Sequence, residues 1–120
     1  MQYVLLVYRG DTPANGSDAW NALPEDEQKH IYAGYKALLD TEGVTAGTPV
    51  GLPDNATTVR AEDGKTVITE GPYIGIKEAI GAYFIFEGDD LNAALKLAAQ
   101  APALRYGGAV EVRPAEAYWE

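Results

Sequence analysis

The chain has no cysteine and a single histidine. The first absence excludes disulfides, thiolate metal sites and a thiol nucleophile, and the second leaves no ligand cluster for a metal and argues against a Ser-His-Asp machine. Basic residues are scarce as well: nine Lys and Arg stand against 18 Asp and Glu, a net charge of −9. Binding to phosphate backbones depends on cations, so nucleic acid is not expected as a partner. No apolar run is long enough for a membrane span, and Met1-Gln2-Tyr3 opens directly into a strand-like segment without a basic region or cleavage site. A cytoplasmic protein with no membrane partner is expected. No Gly-rich stretch follows a strand and opens a helix at dinucleotide or P-loop spacing, and no repeat of fixed period occurs, so neither a cofactor nor a bound metal is expected.

What is present is the composition of a globular protein, 47% hydrophobic and 22% charged, of a length that suits one domain over residues 1–120. Tyr3 to Tyr8 is an apolar run without polar alternation, which predicts a strand covered on both faces. Arg9 to Asn21 is a loop with a turn of helix around Ser17 to Trp20, readable as a lid or as a surface loop pinned by Trp20. Helical period begins at Pro24, placed at the first helical position, and runs to Glu42 with Gly43 at the exit. Its apolar stripe is Ile31, Tyr35, Leu38 and Leu39, with Tyr32 at the border, and His30 lies far from the stripe, towards solvent.

Val44 to Leu52 is a short strand leading into a Pro- and Gly-broken loop, and Asn55 to Thr69 reads as a hairpin turning at Asp63-Gly64. The rigid Gly71-Pro72 turn follows, and then a second strand apolar on both faces, Ala79 to Phe86. Asp89 or Asp90 caps a helix to Ala101 with Leu91, Ala94, Leu95 and Ala98 on one face. Ala109 to Arg113 alternates like an edge strand, and Tyr118 and Trp119 are expected to dock on a surface. The order strand, helix, strand, hairpin, strand, helix, strand describes an α+β, ferredoxin-like sandwich with an inserted β-hairpin. Two helices cover one face of such a sheet, so strands apolar on both faces predict a homodimer packed sheet to sheet.

Several stretches carry a family likeness. Thr69-Glu70-Gly71-Pro72-Tyr73 followed by Lys77-Glu78 and Gly81, then Asp89-Asp90-Leu91, Pro102 to Gly107 and Val110 to Pro114, resemble the YCII-related proteins of the DGPF type over nearly the whole chain. The resemblance implies a dimeric α/β barrel, in a family that includes partners of extracytoplasmic-function sigma factors and small-molecule enzymes such as a dehydrochlorinase-like protein. The naming Asp-Gly-Pro-Phe is Glu70-Gly71-Pro72-Tyr73 here, and polar residues usual after it are replaced by Ile74-Gly75-Ile76. The family's His-Asp pair is not carried over, since the helix histidine falls nearer Tyr32 than His30.

The residue types that remain for chemistry are carboxylates, tyrosines and a few cations. Glu70 is a candidate base if Ile74 and Ile76 desolvate it, and Lys77 or Arg105 could stabilise an enolate or hold a substrate carboxylate. His30 is an acid/base candidate only with help from a loop or partner chain. Tyr8, Tyr73, Tyr83 and Tyr106 could donate hydrogen bonds at the rim of an apolar pocket that also involves Gly71, Pro72 and Ile76. The structural alternatives are that Glu70 caps the turn, Arg105 pairs with Glu111 and the tyrosines pack an interface. Two functions follow. One is a small-molecule-binding protein or cofactor-independent enzyme of lyase, isomerase or cyclase type, with an apolar or aromatic substrate between sheet and helices. The other is a non-catalytic regulatory module, for example a sigma-factor partner.

Overall fold

The computed structural model describes residues 1–74 and 80–116. Its strands are β1 (Gln2–Tyr8), β2 (Val44–Pro49), β3 (Thr57–Glu62), β4 (Lys65–Glu70), β5 (Ile80–Glu87) and β6 (Ala109–Pro114). Its helices are α1 (Asp18–Asn21), α2 (Glu25–Leu39) and α3 (Leu91–Ala98), with 3₁₀ turns at Pro53–Asn55 and Pro102–Tyr106. Four strands form one antiparallel sheet in the order β2-β5-β1-β6, which is the ferredoxin-like arrangement once the β3–β4 hairpin is set aside.

Strand alternation decides where the core sits. Tyr3, Leu5 and Val7 of β1 lie opposite Phe86, Phe84 and Ala82 of β5, and all six are buried. Because directly paired residues share a face, this row meets the helices, joined by Leu38 from α2 and by Ala94, Leu97 and Ala98 from α3. The other face carries Val4, Leu6, Tyr83 and Ile85, which remain half-buried or exposed. The expectation of two apolar faces therefore holds as sequence pattern, while the described residues cover only one of them.

Local chemistry accounts for most element ends. Pro24 is the N-cap of α2 rather than its first helical residue, because its ψ of 145° is extended. The helix also stops short of Glu42: Thr41 N bonds to Leu38 O in a tightened last turn before Gly43 turns the chain at φ +95°. Asp90 caps α3 by accepting from Ala93 N at 3.0 Å, and the same tightening, Gln100 N to Leu97 O, ends that helix before Ala101. Its buried face includes Leu97, whereas the expected Leu91 and Leu95 are about half exposed. Gly34 lets α2 approach the turn after α3, since a Cβ there would lie 2.6 Å from Pro102 Cγ.

The hairpin is a separate two-stranded sheet turning at Asp63 (φ +50°) and Gly64 (φ +79°), the two positive angles of a type I′ turn. Val59 faces Ile68 across it, and both are about two-thirds exposed. The projecting hairpin explains the extents of 51 × 42 × 20 Å and a radius of gyration of 16.2 Å, against about 13–14 Å for a compact domain of this length. Tyr118 and Trp119 lie outside the described residues.

Candidate functional site

One end of the four-stranded sheet, where β1 leaves it, supports two cavities. Side chains alternate along an extended chain, so Arg9 follows Val7 to the helix side, while Tyr8 follows Leu6 to the open face. The loop after β2 is shared between them, and Val50, Gly51, Leu52 and Asn55 contribute to both. The open-face cavity, about 510 Å³, is walled by Tyr8, Pro53, Pro72, Ile74 and Ile80, and no charged side chain lines it among the described residues. The helix-side cavity, about 440 Å³, lies between α2, the loop from Arg9 to Trp20, and the sheet.

The helix-side cavity is aromatic with one cation. Trp20, buried under its loop, meets Tyr32 edge to face at a centroid distance of 5.1 Å. Ser17 holds α1 in place by accepting from Trp20 N at 3.1 Å, and Gln28 Nε2 donates to Trp20 O at 2.9 Å. Tyr32 Oη donates to Asn15 Oδ1 at 2.9 Å, tying the loop to α2. Tyr35 stacks on Phe84 and presents its ring to the same space. Burial pushes its phenol above the ordinary value of 10, and the nearby Arg9 charge opposes that rise.

Arg9 owes its position to a close backbone approach. Gly10 adopts φ +57°, and a Cβ on it would fall 2.5 Å from Gly108 N, so only glycine lets the end of β1 pass against the turn before β6. Asp11 N donates to Tyr106 O at 2.8 Å, and Arg9 Nη2 donates to Thr12 O at 2.9 Å.

The turn itself is clasped to α2. Tyr106 Oη donates to Glu27 Oε1 at 2.6 Å, and Arg105 Nη1 reaches the same oxygen at 3.0 Å. The Tyr106 hydrogen bond first, then Arg105, hold the Glu27 carboxyl below its ordinary 4.5, while Glu27 raises the Tyr106 phenol above 10. A lowered carboxyl stabilises the fold fully above pH 4.5 and loses that contribution as pH falls through the lowered value. A raised phenol stabilises it fully below pH 10 and loses that contribution above. Tyr106→Phe should therefore lower the melting temperature at pH 7, with the gap to the parent protein closing below about pH 4.5 and again above about pH 10. Thermal melts at pH 3, 7 and 11 check this, and a gap that is constant across pH would contradict the clasp.

The structure distributes the residues picked out by sequence unevenly. Tyr8 and Pro72 come together on the open-face cavity, with Ile74 beside them. Glu70 ends β4 exposed, Tyr73 is 72% exposed, and neither lines a cavity described above; Gly71 forms the turn at φ +101°. Glu70 is not buried as expected: Pro72 and Ile74 of the turn wall the open-face cavity, while Glu70 stays at the exposed end of β4. Arg105 pairs with Glu27, not Glu111, since its turn packs on α2, and Glu111 is taken by Arg113. The tyrosine hydroxyls expected at a pocket rim are partly engaged inside the protein: Tyr8 donates to Glu111 at 3.3 Å and Tyr106 to Glu27. Tyr83 lies on the open face of the sheet, and His30 is exposed on α2. Ile76 and Lys77 lie outside the described residues. Sequence reading missed Arg9, Asn15 and the pairing of Trp20 with Tyr32; their only signals were an arginine ending an apolar strand and a lone tryptophan in a loop.

Among the described residues no three His, Asp or Glu side chains gather as a metal site, and no helix is long and apolar enough to cross a membrane. No curated protein matches the chain. Among solved structures it is similar to 5-chloro-2-hydroxyhydroquinone dehydrochlorinase from Burkholderia phenoliruptrix AC1100, in complex with 2,5-dihydroxybenzoquinone. That similarity is 20% identity with a TM-score of 0.44, covering 97% of this chain and 94% of the other. The model of the YCII-related domain matches residues 1–116, and the chain therefore belongs to the YCII-related family.

Proposed function

We propose that this protein binds a small apolar or aromatic molecule in the cavity between α2 and the sheet, acting in the cytoplasm as a homodimer, and that chemistry done there is cofactor-independent, of lyase, isomerase or cyclase type. The observation that carries the reading is a cavity of about 440 Å³ walled by Trp20, Tyr32, Tyr35 and Ile31, with Arg9 as its one charged side chain among the described residues. Apolar and aromatic walls with few placed polar groups, at a volume between about 300 and 1,000 Å³, are the usual form of a small-ligand site. Membership of a family that includes small-molecule enzymes supports the same reading. Within that cavity the Arg9 guanidinium and the Tyr35 hydroxyl are the groups set to act on a bound molecule, ahead of the exposed Glu70 and the paired Arg105.

Trp20 provides the test. The chain has two tryptophans, so Trp119→Phe leaves Trp20 as the sole indole. Titration of that variant with a neutral bicyclic aromatic such as 2-naphthamide should quench Trp20 emission saturably, at micromolar to low-millimolar concentration. Unchanged emission, together with no heat of binding by calorimetry, would remove the cavity as a ligand site.

A further inference from the structure

We infer that the ligand of the helix-side cavity is a planar aromatic carboxylate whose acid group is held by Arg9. The inference rests on that cavity being a ligand site and adds the charge of what fills it. Its ground is an anomaly in charge pairing. The chain has twice as many acidic as basic residues, and Arg60, Arg105 and Arg113 each hold a carboxylate, Glu62, Glu27 and Glu111 respectively. Arg9 alone among the arginines has no carboxylate partner within the described residues, although it is half-buried. A guanidinium carries five N–H donors, and here one bond, Nη2 to Thr12 O, is made to the described protein. The remaining donors form a planar fork at a cavity wall, the geometry that matches a carboxylate with two parallel hydrogen bonds.

The surroundings choose the rest of the molecule. Trp20, Tyr32 and Tyr35 offer aromatic surface to a planar ring, and the Tyr35 hydroxyl makes no hydrogen bond to the described residues, leaving a second polar group in the cavity. Partial burial strengthens the Arg9 charge by removing water, and a bound anion offsets the cost of holding that cation out of solvent. A neutral apolar ligand would leave the fork unsatisfied.

The test compares 2-naphthoate with its neutral isostere 2-naphthamide, by calorimetry on the full chain and on Arg9→Met and Arg9→Lys. The parent protein should bind the acid about 10- to 100-fold more tightly than the amide, the range that a charge-assisted hydrogen bond supplies. Arg9→Met should abolish that preference by weakening the acid more than the amide, and Arg9→Lys should keep part of it, because the charge stays while the fork is lost. Circular dichroism of both variants verifies folding. Equal affinity for acid and amide in the parent, or a preference that survives Arg9→Met, overturns the inference and leaves the cavity standing as a neutral site. Binding of neither compound overturns the cavity reading and this inference together.

Discussion

Trp20→Ala should abolish aromatic ligand binding, by at least about 100-fold, and lower stability by about 3 kcal/mol, the lower part of the range for truncating a buried tryptophan. Trp20 is only 6% exposed, yet it does not belong to the main cluster of Leu5, Val7, Phe84 and their neighbours. It forms a satellite under the loop with Tyr32, and apolar anchors of that kind hold loops instead of whole domains. Without the indole, the bonds from Gln28 to Trp20 O and from Tyr32 to Asn15 are left to hold the loop against α2, and the cavity loses a wall. Most of the sheet packing is untouched, so the variant should remain folded within the usual margin of about 5–15 kcal/mol. Hydrogen exchange should show the loss confined to residues 9–23, with β1 and β5 still protected. Retained binding, or uniform loss of protection across the sheet, would show that Trp20 belongs to the core and not to a site wall.

The second large effect concerns the uncovered face of the sheet. Sedimentation at micromolar concentration should give twice the 12.8 kDa chain mass, and Leu6→Lys should return the protein to a folded monomer. Leu6 sits opposite Tyr83 on β5, beside the pair Val4 and Ile85, in the middle of the face that none of the described helices covers. Among the described residues one layer of helices packs on one side of the sheet, and the other side is left without the second layer that usually completes a sheet apolar on both sides. A second copy related by a two-fold axis would supply it with the same apolar rows. A lysine at the centre of such an interface is a charge taken out of water without a partner, which costs several kcal/mol, enough to dissociate a micromolar dimer. In the monomer the same lysine reaches solvent at little cost. A parent protein that sediments at the single-chain mass would falsify the sheet-to-sheet assembly. A Leu6→Lys variant that remains dimeric would move the interface elsewhere, with the exposed Val59 and Ile68 of the hairpin as the next place to look.

The order of elements, the ferredoxin-like class and the hairpin turn at Asp63-Gly64 follow from the sequence alone, because each rests on local physics. Period-two and period-3.6 apolar patterns, a positive-φ turn and an aspartate cap act within a few residues of themselves. Trp20 as a loop anchor and His30 as a solvent-facing residue were legible for the same reason. The site was not. Arg9, Asn15, Trp20 and Tyr35 come from three segments whose meeting depends on the alternation at the end of β1, on the approach of Gly10 to Gly108, and on the packing of Tyr35 from α2 against Phe84 of the sheet. The prominent Glu70-Gly71-Pro72-Tyr73 motif drew attention to a turn whose Pro72 reaches the open-face cavity while Glu70 and Tyr73 stay exposed. Arg105 likewise found Glu27, 78 residues away in the chain, instead of the nearby Glu111. Side-chain pairing and desolvation are set by distances in space, and only the packing of helices against the sheet determined which arginine was left facing a cavity without a carboxylate partner among the described residues.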